Sequence, residues 1–140
     1  MEFDIMKSAD IISMFCRLKM NLKHDLPIRS SEMGVLIFVK KQNSEVRPLH
    51  ISQFFKITKP SVTTIINSLV KAGYLFKEPS KLDKRSYILK ITSKGNKLLE
   101  STFKEYYKSI KLLSNNMGEK EFNEFIRLMQ IANNLLEELE

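Results

Sequence analysis

The residues with the most evident chemistry lie between Phe76 and Thr92, in "FKEPSKLDKRSYILKIT". Lys77, Lys81, Lys84, Arg85 and Lys90 make this stretch a grip for an anion. One acid, Asp83, sits inside the run "KLDKR", where it would repel the same partner. The charge is local: from Lys56 to Lys97 there are ten Lys/Arg against two acids, a balance of +8, whereas the whole chain carries +7. The remaining residues therefore sum to −1. An excess confined to one segment is the distribution of a polyanion-binding face rather than of general solubilising charge. The alternative is a basic block that is merely solvated.

Other chemistries find less support. His24 and His50 are the two histidines and lie in different segments, with no carboxylate or thiol at ligand spacing, so no metal site is expected. There is no nucleophile–base arrangement, phosphate-cradling glycine loop or dinucleotide pattern, so neither an enzyme nor a cofactor is expected. Cys16 is the lone cysteine, which excludes an internal disulfide and suits a reducing compartment. A redox role for Cys16 would need a lowered pKa and access; a lone cysteine among Ile12, Met14 and Phe15 is usually a packing residue. The N-terminus "MEFDIMKSADIISMF" lacks a basic leader, and no run of eighteen apolar residues occurs, so a cytoplasmic chain without membrane attachment is expected.

At 140 residues and 43% hydrophobic content the chain is long enough for one domain with a real core. Helical spacing runs from Phe3 to about Lys23 and breaks at Leu26-Pro27. A second helix is predicted from "RSSE", capped by Ser30 or Ser31, to about Gln42. Pro48 opens a short third helix to Phe55. Thr58 reads as the cap of "KPSVTTIINSLVKAG", with Val62, Ile65, Ile66 and Leu69 as its buried stripe and Gly73 as its stop. Two helices joined by the short link "KI" make a helix-turn-helix. After Gly73 the period becomes alternating: "YLFKE" and "SYILKIT" read as strands around the loop "PSKLDKR", with Tyr87, Leu89 and Ile91 sharing one face. A helix from Thr92 or Ser93 through Leu113 and a last one after Gly118 complete the chain. The predicted fold is mainly α with a small β-hairpin, a winged helix-turn-helix flanked by N- and C-terminal helices. The outer helices, about 1–24 and 97–140, are apolar over broad sectors, which suits burial against a second copy. Folding back onto the same protomer is the alternative.

Two motifs resemble the MarR family, the multiple-antibiotic-resistance-type regulators. "ISQFFKITKPSVTTIINSLVKAGYLFKE" is similar to the family's recognition unit. "DKRSYILKITSKG" resembles its wing signature, with Asp83, Arg85, Ile91, Thr92 and Gly95 on the marked positions. The turn departs from the pattern: Lys56 stands where the family often has glycine. The resemblance implies a single MarR-like domain with its DNA-binding lobe at about 30–95, acting as a transcription regulator, by family habit a repressor. It implies a homodimer that places two recognition helices in successive major grooves of double-stranded DNA, about 34 Å apart. Lys59, Ser61, Thr63, Thr64 and Asn67 are then the recognition-helix contacts, and Lys81, Asp83, Lys84 and Arg85 those of the wing. It also implies a small aromatic or phenolic effector, with Met14, Phe15, Met33 and Phe38 as candidate lining and core packing as their alternative role. In some family members a first-helix cysteine senses peroxide, the position of Cys16. Asp83 is expected to orient the Arg85 guanidinium for the minor groove, against the simpler expectation of a local turn. A winged helix serving only as a protein-interaction module is the competing reading.

Overall fold

The computed structural model describes residues 4–22, 24–83 and 85–139. In chain order the elements are α1 (Ile5–Asn21), α2 (Ser30–Lys41), α3 (Pro48–Phe55), α4 (Lys59–Lys71), β1 (Leu75–Pro79), β2 (Tyr87–Ile91), α5 (Ser93–Tyr106), α6 (Lys108–Met117) and α7 (Glu119–Glu138). They divide into two compact units, Met1–His24 with Tyr107–Glu140, and Asp25–Tyr106. The flanking segment expected at 97–140 is thus divided, its first ten residues packing with the second unit.

In that unit α2 is the central element and packs on α4, α5 and β2. Met33 and Leu36 have no exposure, and Ile51, Ile66, Leu69 and Leu98 close around them. Each such side chain contributes roughly 1.5–3 kcal/mol by leaving water. The start of α2 differs from the expected serine cap. Arg29 is the cap residue, and its N–H donates to Glu32 Oε1 at 2.9 Å. The other Glu32 oxygen accepts the Ser68 hydroxyl from α4. The carboxylate thus accepts the cap residue's N–H from three residues on and also ties two helices together.

The helix-turn-helix is built as its residues require. Pro48 occupies the first turn of α3, where a missing N–H costs nothing. Lys56 adopts the left-handed conformation (φ 56°, ψ 46°) that glycine usually supplies. That geometry costs a non-glycine residue about 1–2 kcal/mol. Two bonds across the turn oppose this: the Ser52 hydroxyl donates to the Ile57 carbonyl at 2.7 Å, and the Ile57 N–H donates to the Ser52 carbonyl at 3.3 Å. Thr58 then caps α4, its hydroxyl accepting the Ser61 N–H at 3.3 Å. Val62, Ile66 and Leu69 are buried and Ile65 is half-buried.

Gly73 (φ 85°) stops α4 and turns the chain into the antiparallel hairpin, registered from Leu75↔Ile91 to Pro79↔Tyr87. Val46, before α3, bridges to Leu89 on the other side of β2. Ile88 and Leu89 are consecutive yet both buried, so the middle of β2 is covered on both faces rather than one. At the end of β2 the Thr92 hydroxyl donates to Gly73 O at 2.6 Å and accepts the Gly95 N–H at 3.0 Å. The Thr92 N–H donates to Tyr74 O at 3.0 Å. Gly95 has to be glycine here, because a Cβ would lie 2.4 Å from Tyr74 O and 2.7 Å from Ile91 Cγ1.

The long helix expected through Leu113 is two helices, broken at Tyr107 (φ −94°, ψ 9°). Phe103, Tyr106, Ile110 and Leu113 keep helical spacing across the break, so periodicity carries no mark of it. In the other unit, the Phe15 and Phe125 rings meet with centroids 5.6 Å apart. Around Phe15, Leu18 and Leu22 of the α1 region and Leu112 and Leu113 of α6 line a shallow apolar groove.

Gly95→Ala should lower stability by about 1–3 kcal/mol, the cost of forcing atoms into a filled site. A melting temperature equal to that of the parent would contradict the close approach at Tyr74.

Candidate nucleic-acid interface

The charge follows the division into units. Asp25–Tyr106 holds fifteen Lys/Arg and seven Asp/Glu, a balance of +8, and the other unit eight and nine, a balance of −1. Within the lobe, α4 turns Lys59, Ser61, Thr63, Thr64 and Asn67 outward, all exposed. The buried stripe at Val62, Ile66 and Leu69 forces this, since residues between stripe positions must face away from α2. Thr63 and Thr64 donate their hydroxyls to the carbonyls of Lys59 and Pro60, each at 3.0 Å. Turned inward this way, the hydroxyls offer lone pairs to a partner; turned outward they become donors for phosphate. Ser61 Oγ accepts the Thr58 hydroxyl at 2.9 Å, so Ser61 is engaged with the cap.

At the far end of α4 two lysines bind the helix to its surroundings. Lys77 donates from β1 to Asn67 Oδ1 at 3.3 Å and stands 4.7 Å from the Tyr87 ring centroid. Burial pushes the Tyr87 phenol above its ordinary pKa. Lys94 donates to the Ala72 carbonyl at 2.7 Å and lies 4.9 Å from the Tyr74 ring centroid. A cation at the carbonyl end of a helix opposes the helix dipole favourably. Lys90 pairs with Glu78 across the hairpin at 3.1 Å.

The wing presents Lys81, Leu82, Asp83 and Arg85, all exposed, while Lys84 lies outside the described residues. Asp83 does not hold the guanidinium. Its Oδ1 accepts the main-chain N–H of Arg85 at 3.0 Å, and its carbonyl accepts the Ser86 N–H at 3.1 Å. Among the described residues no bond joins Asp83 to the Arg85 side chain. The orienting role gives way to an Asx-turn, because an oxygen two residues back reaches the nearby amide without ordering a long side chain. The acid fixes the path of the wing backbone and leaves the arginine exposed. A further residue escaped the sequence reading: Ser80 is only 4% exposed, and its Oγ accepts the Leu82 and Asp83 N–H groups at 3.3 and 3.4 Å. A serine beside a Pro is a common turn residue, so nothing local marked it.

Cys16 is exposed on α1, in the other unit. No three metal-ligating side chains gather among the described residues, and no helix of the described residues is long and apolar enough to cross a membrane.

The MarR family model matches residues 24–86, which span the elements just described from the approach to α2 through the wing turn. Over these residues the chain resembles the MarR family. The fold extends beyond the matched segment. A MarR/EmrR family transcriptional regulator from Acinetobacter sp. ADP1 is similar with a TM-score of 0.80 and 20% identity, covering 97% of this chain and 99% of that one. A MarR protein from Peptoclostridium difficile DA00132 gives 0.77 and 24%, covering 99% and 90%. A mutant MarR from E. coli, complexed with operator DNA, gives 0.78 and 18%, covering 93% and 99%. No curated protein sequence matches the chain. The likeness shows a MarR-type fold, and Lys56 shows that its turn can be made without glycine.

The two roles of Asp83 separate experimentally. Asp83→Asn keeps an acceptor oxygen and should leave exchange of the Arg85 amide slow, whereas Asp83→Ala should speed it several-fold, by the ~1 kcal/mol of one lost hydrogen bond. Equal exchange in both variants would contradict the turn.

Proposed function

We propose that the chain is a double-stranded-DNA-binding transcription regulator that acts as a homodimer and represses at a pseudo-palindromic site. The observation that carries this reading is the placement of the +8 lobe's exposed recognition helix beside an exposed basic wing. Lys59, Lys81 and Arg85 supply phosphate and minor-groove contacts, with Lys84 of the same run. Thr63, Thr64 and Asn67 face the bases, where short side chains permit close approach to the major-groove edges. The operator complex of the E. coli mutant MarR supports the same use of the fold.

The homodimer is proposed from the other unit. Ile5, Ile12 and Leu18 of α1 and Ile126, Met129 and Leu136 of α7 are exposed, a larger apolar surface than a monomer ordinarily keeps in water. A second copy covers such a surface and doubles the number of DNA contacts. A small effector acting on the dimer, and residence in the cytoplasm, belong to the same reading.

Affinity for duplex DNA should fall steeply with salt. If each protomer neutralises about four phosphates, the slope of log affinity on log salt is near −7, which is about four decades between 50 and 200 mM. Arg85→Ala should lower affinity and shrink the slope by about one for each protomer. A slope near zero would overturn DNA binding in favour of a protein-interaction module. A slope near half the expected value would overturn the dimer as the binding unit.

A further inference from the structure

Arg47 belongs neither to the recognition helix nor to the wing, yet its side chain ends in the wing turn. It caps α3 at the end of the 42–47 connection, and its Nη2 donates to Ser80 Oγ at 3.3 Å and to Glu45 Oε2 at 3.4 Å. The Arg47 and Glu45 side chains are each 30% exposed, and Ser80 is buried. Three donors therefore converge on one hydroxyl oxygen: the Leu82 and Asp83 amides and the Arg47 guanidinium. Because that oxygen has two lone pairs, the three share it, in keeping with their lengths. One residue earlier, Val46 is 3% exposed and its carbonyl accepts the Leu89 N–H at 2.8 Å. The connection before α3 thus holds the hairpin at two points, main chain at β2 and side chain at the turn.

We infer that Arg47 is a positioning residue for DNA binding, a latch that fixes the wing turn relative to the helix-turn-helix without touching DNA itself. The inference rests on the DNA-binding reading above. A free hairpin tip would have to be ordered on each encounter, and prior ordering of a contact group removes that cost from binding. The guanidinium is also poorly placed to be a phosphate clamp, because Glu45 already sits against it. Loss of the latch should therefore lower affinity without changing how many counterions are released.

The experiment compares parent, Arg47→Met, Arg85→Ala and the double variant in duplex-DNA titrations at several salt concentrations, with amide exchange measured on the free proteins. Arg47→Met should weaken binding about tenfold, in the range of one lost charge-assisted bond, with an unchanged salt slope. In the Arg85→Ala background the same substitution should cost little, because the wing it positions no longer grips. A general structural defect would cost the same in both backgrounds. Exchange at Leu82 and Asp83 should quicken in Arg47→Met. A slope reduced by about 0.9 per protomer, with an undiminished penalty in the Arg85→Ala background, would make Arg47 a direct phosphate contact and overturn the inference. Unchanged exchange at the turn would overturn it equally. If Arg47→Met fails to fold, Ser80→Ala removes the acceptor instead, and an additive effect with Arg85→Ala then contradicts the latch. Should the parent bind no duplex, the DNA reading falls by itself, and the exchange comparison still decides whether Arg47 holds the wing.

Discussion

The lobe depends on one junction, where Thr92 closes the hairpin onto the end of α4. A single hydroxyl donates to Gly73 O and accepts the Gly95 N–H, and the neighbouring amide donates to Tyr74 O. Gly95 permits this because any side chain would strike the Tyr74 carbonyl. Three elements with different tasks are fixed there: the end of α4, the base of the wing, and the start of α5, which carries Leu98 back into the core. The hairpin and α4 are consequently tied directly to each other at this corner. Lys94, bound to Ala72 O at the same corner, adds a charge-assisted bond to the junction.

Around that junction the lobe spends polar groups on position. Glu32 closes the capping box of α2 and accepts from Ser68 of α4, so one buried carboxylate ties the core helix to α4. Removing it would lose both of these bonds, each worth about 0.5–1.5 kcal/mol. Lys77 ties Asn67 to the hairpin, and Arg47 ties the turn to the connection before α3. Each of these groups spans two elements. The exposed hydroxyls and cations that face outward are therefore held by side chains that themselves face inward or sideways.

Much of this was legible in the chain because it is local. Thr58 before "KPS", Pro48 at a helix start, Gly73 at a helix stop and the change of period after it each depend on a few neighbouring residues. The basic balance between Lys56 and Lys97 likewise marked the lobe that carries it. What was not legible depends on partners far away in sequence. Glu32 moved the start of α2 to Arg29 through its own reach, and Ser80 gained its role from Arg47, thirty-three residues earlier. The break at Tyr107 left the apolar spacing undisturbed. Asp83 is the instructive case: it lies in the turn between the strands as expected, but the shorter path to the Arg85 amide prevailed over the longer one to its guanidinium.

The central claim is that α4 and the hairpin of the Asp25–Tyr106 lobe together form a surface that grips duplex DNA. Hydrogen exchange with and without a non-specific duplex at low salt tests it most directly, since the phosphate attraction needs no knowledge of the preferred sequence. Slowed exchange in the first turns of α4 and at the wing turn, reversed by raising the salt, is the predicted result. Exchange that stays unchanged in both places while the duplex is bound, or protection confined to α1, α6 and α7, would contradict it.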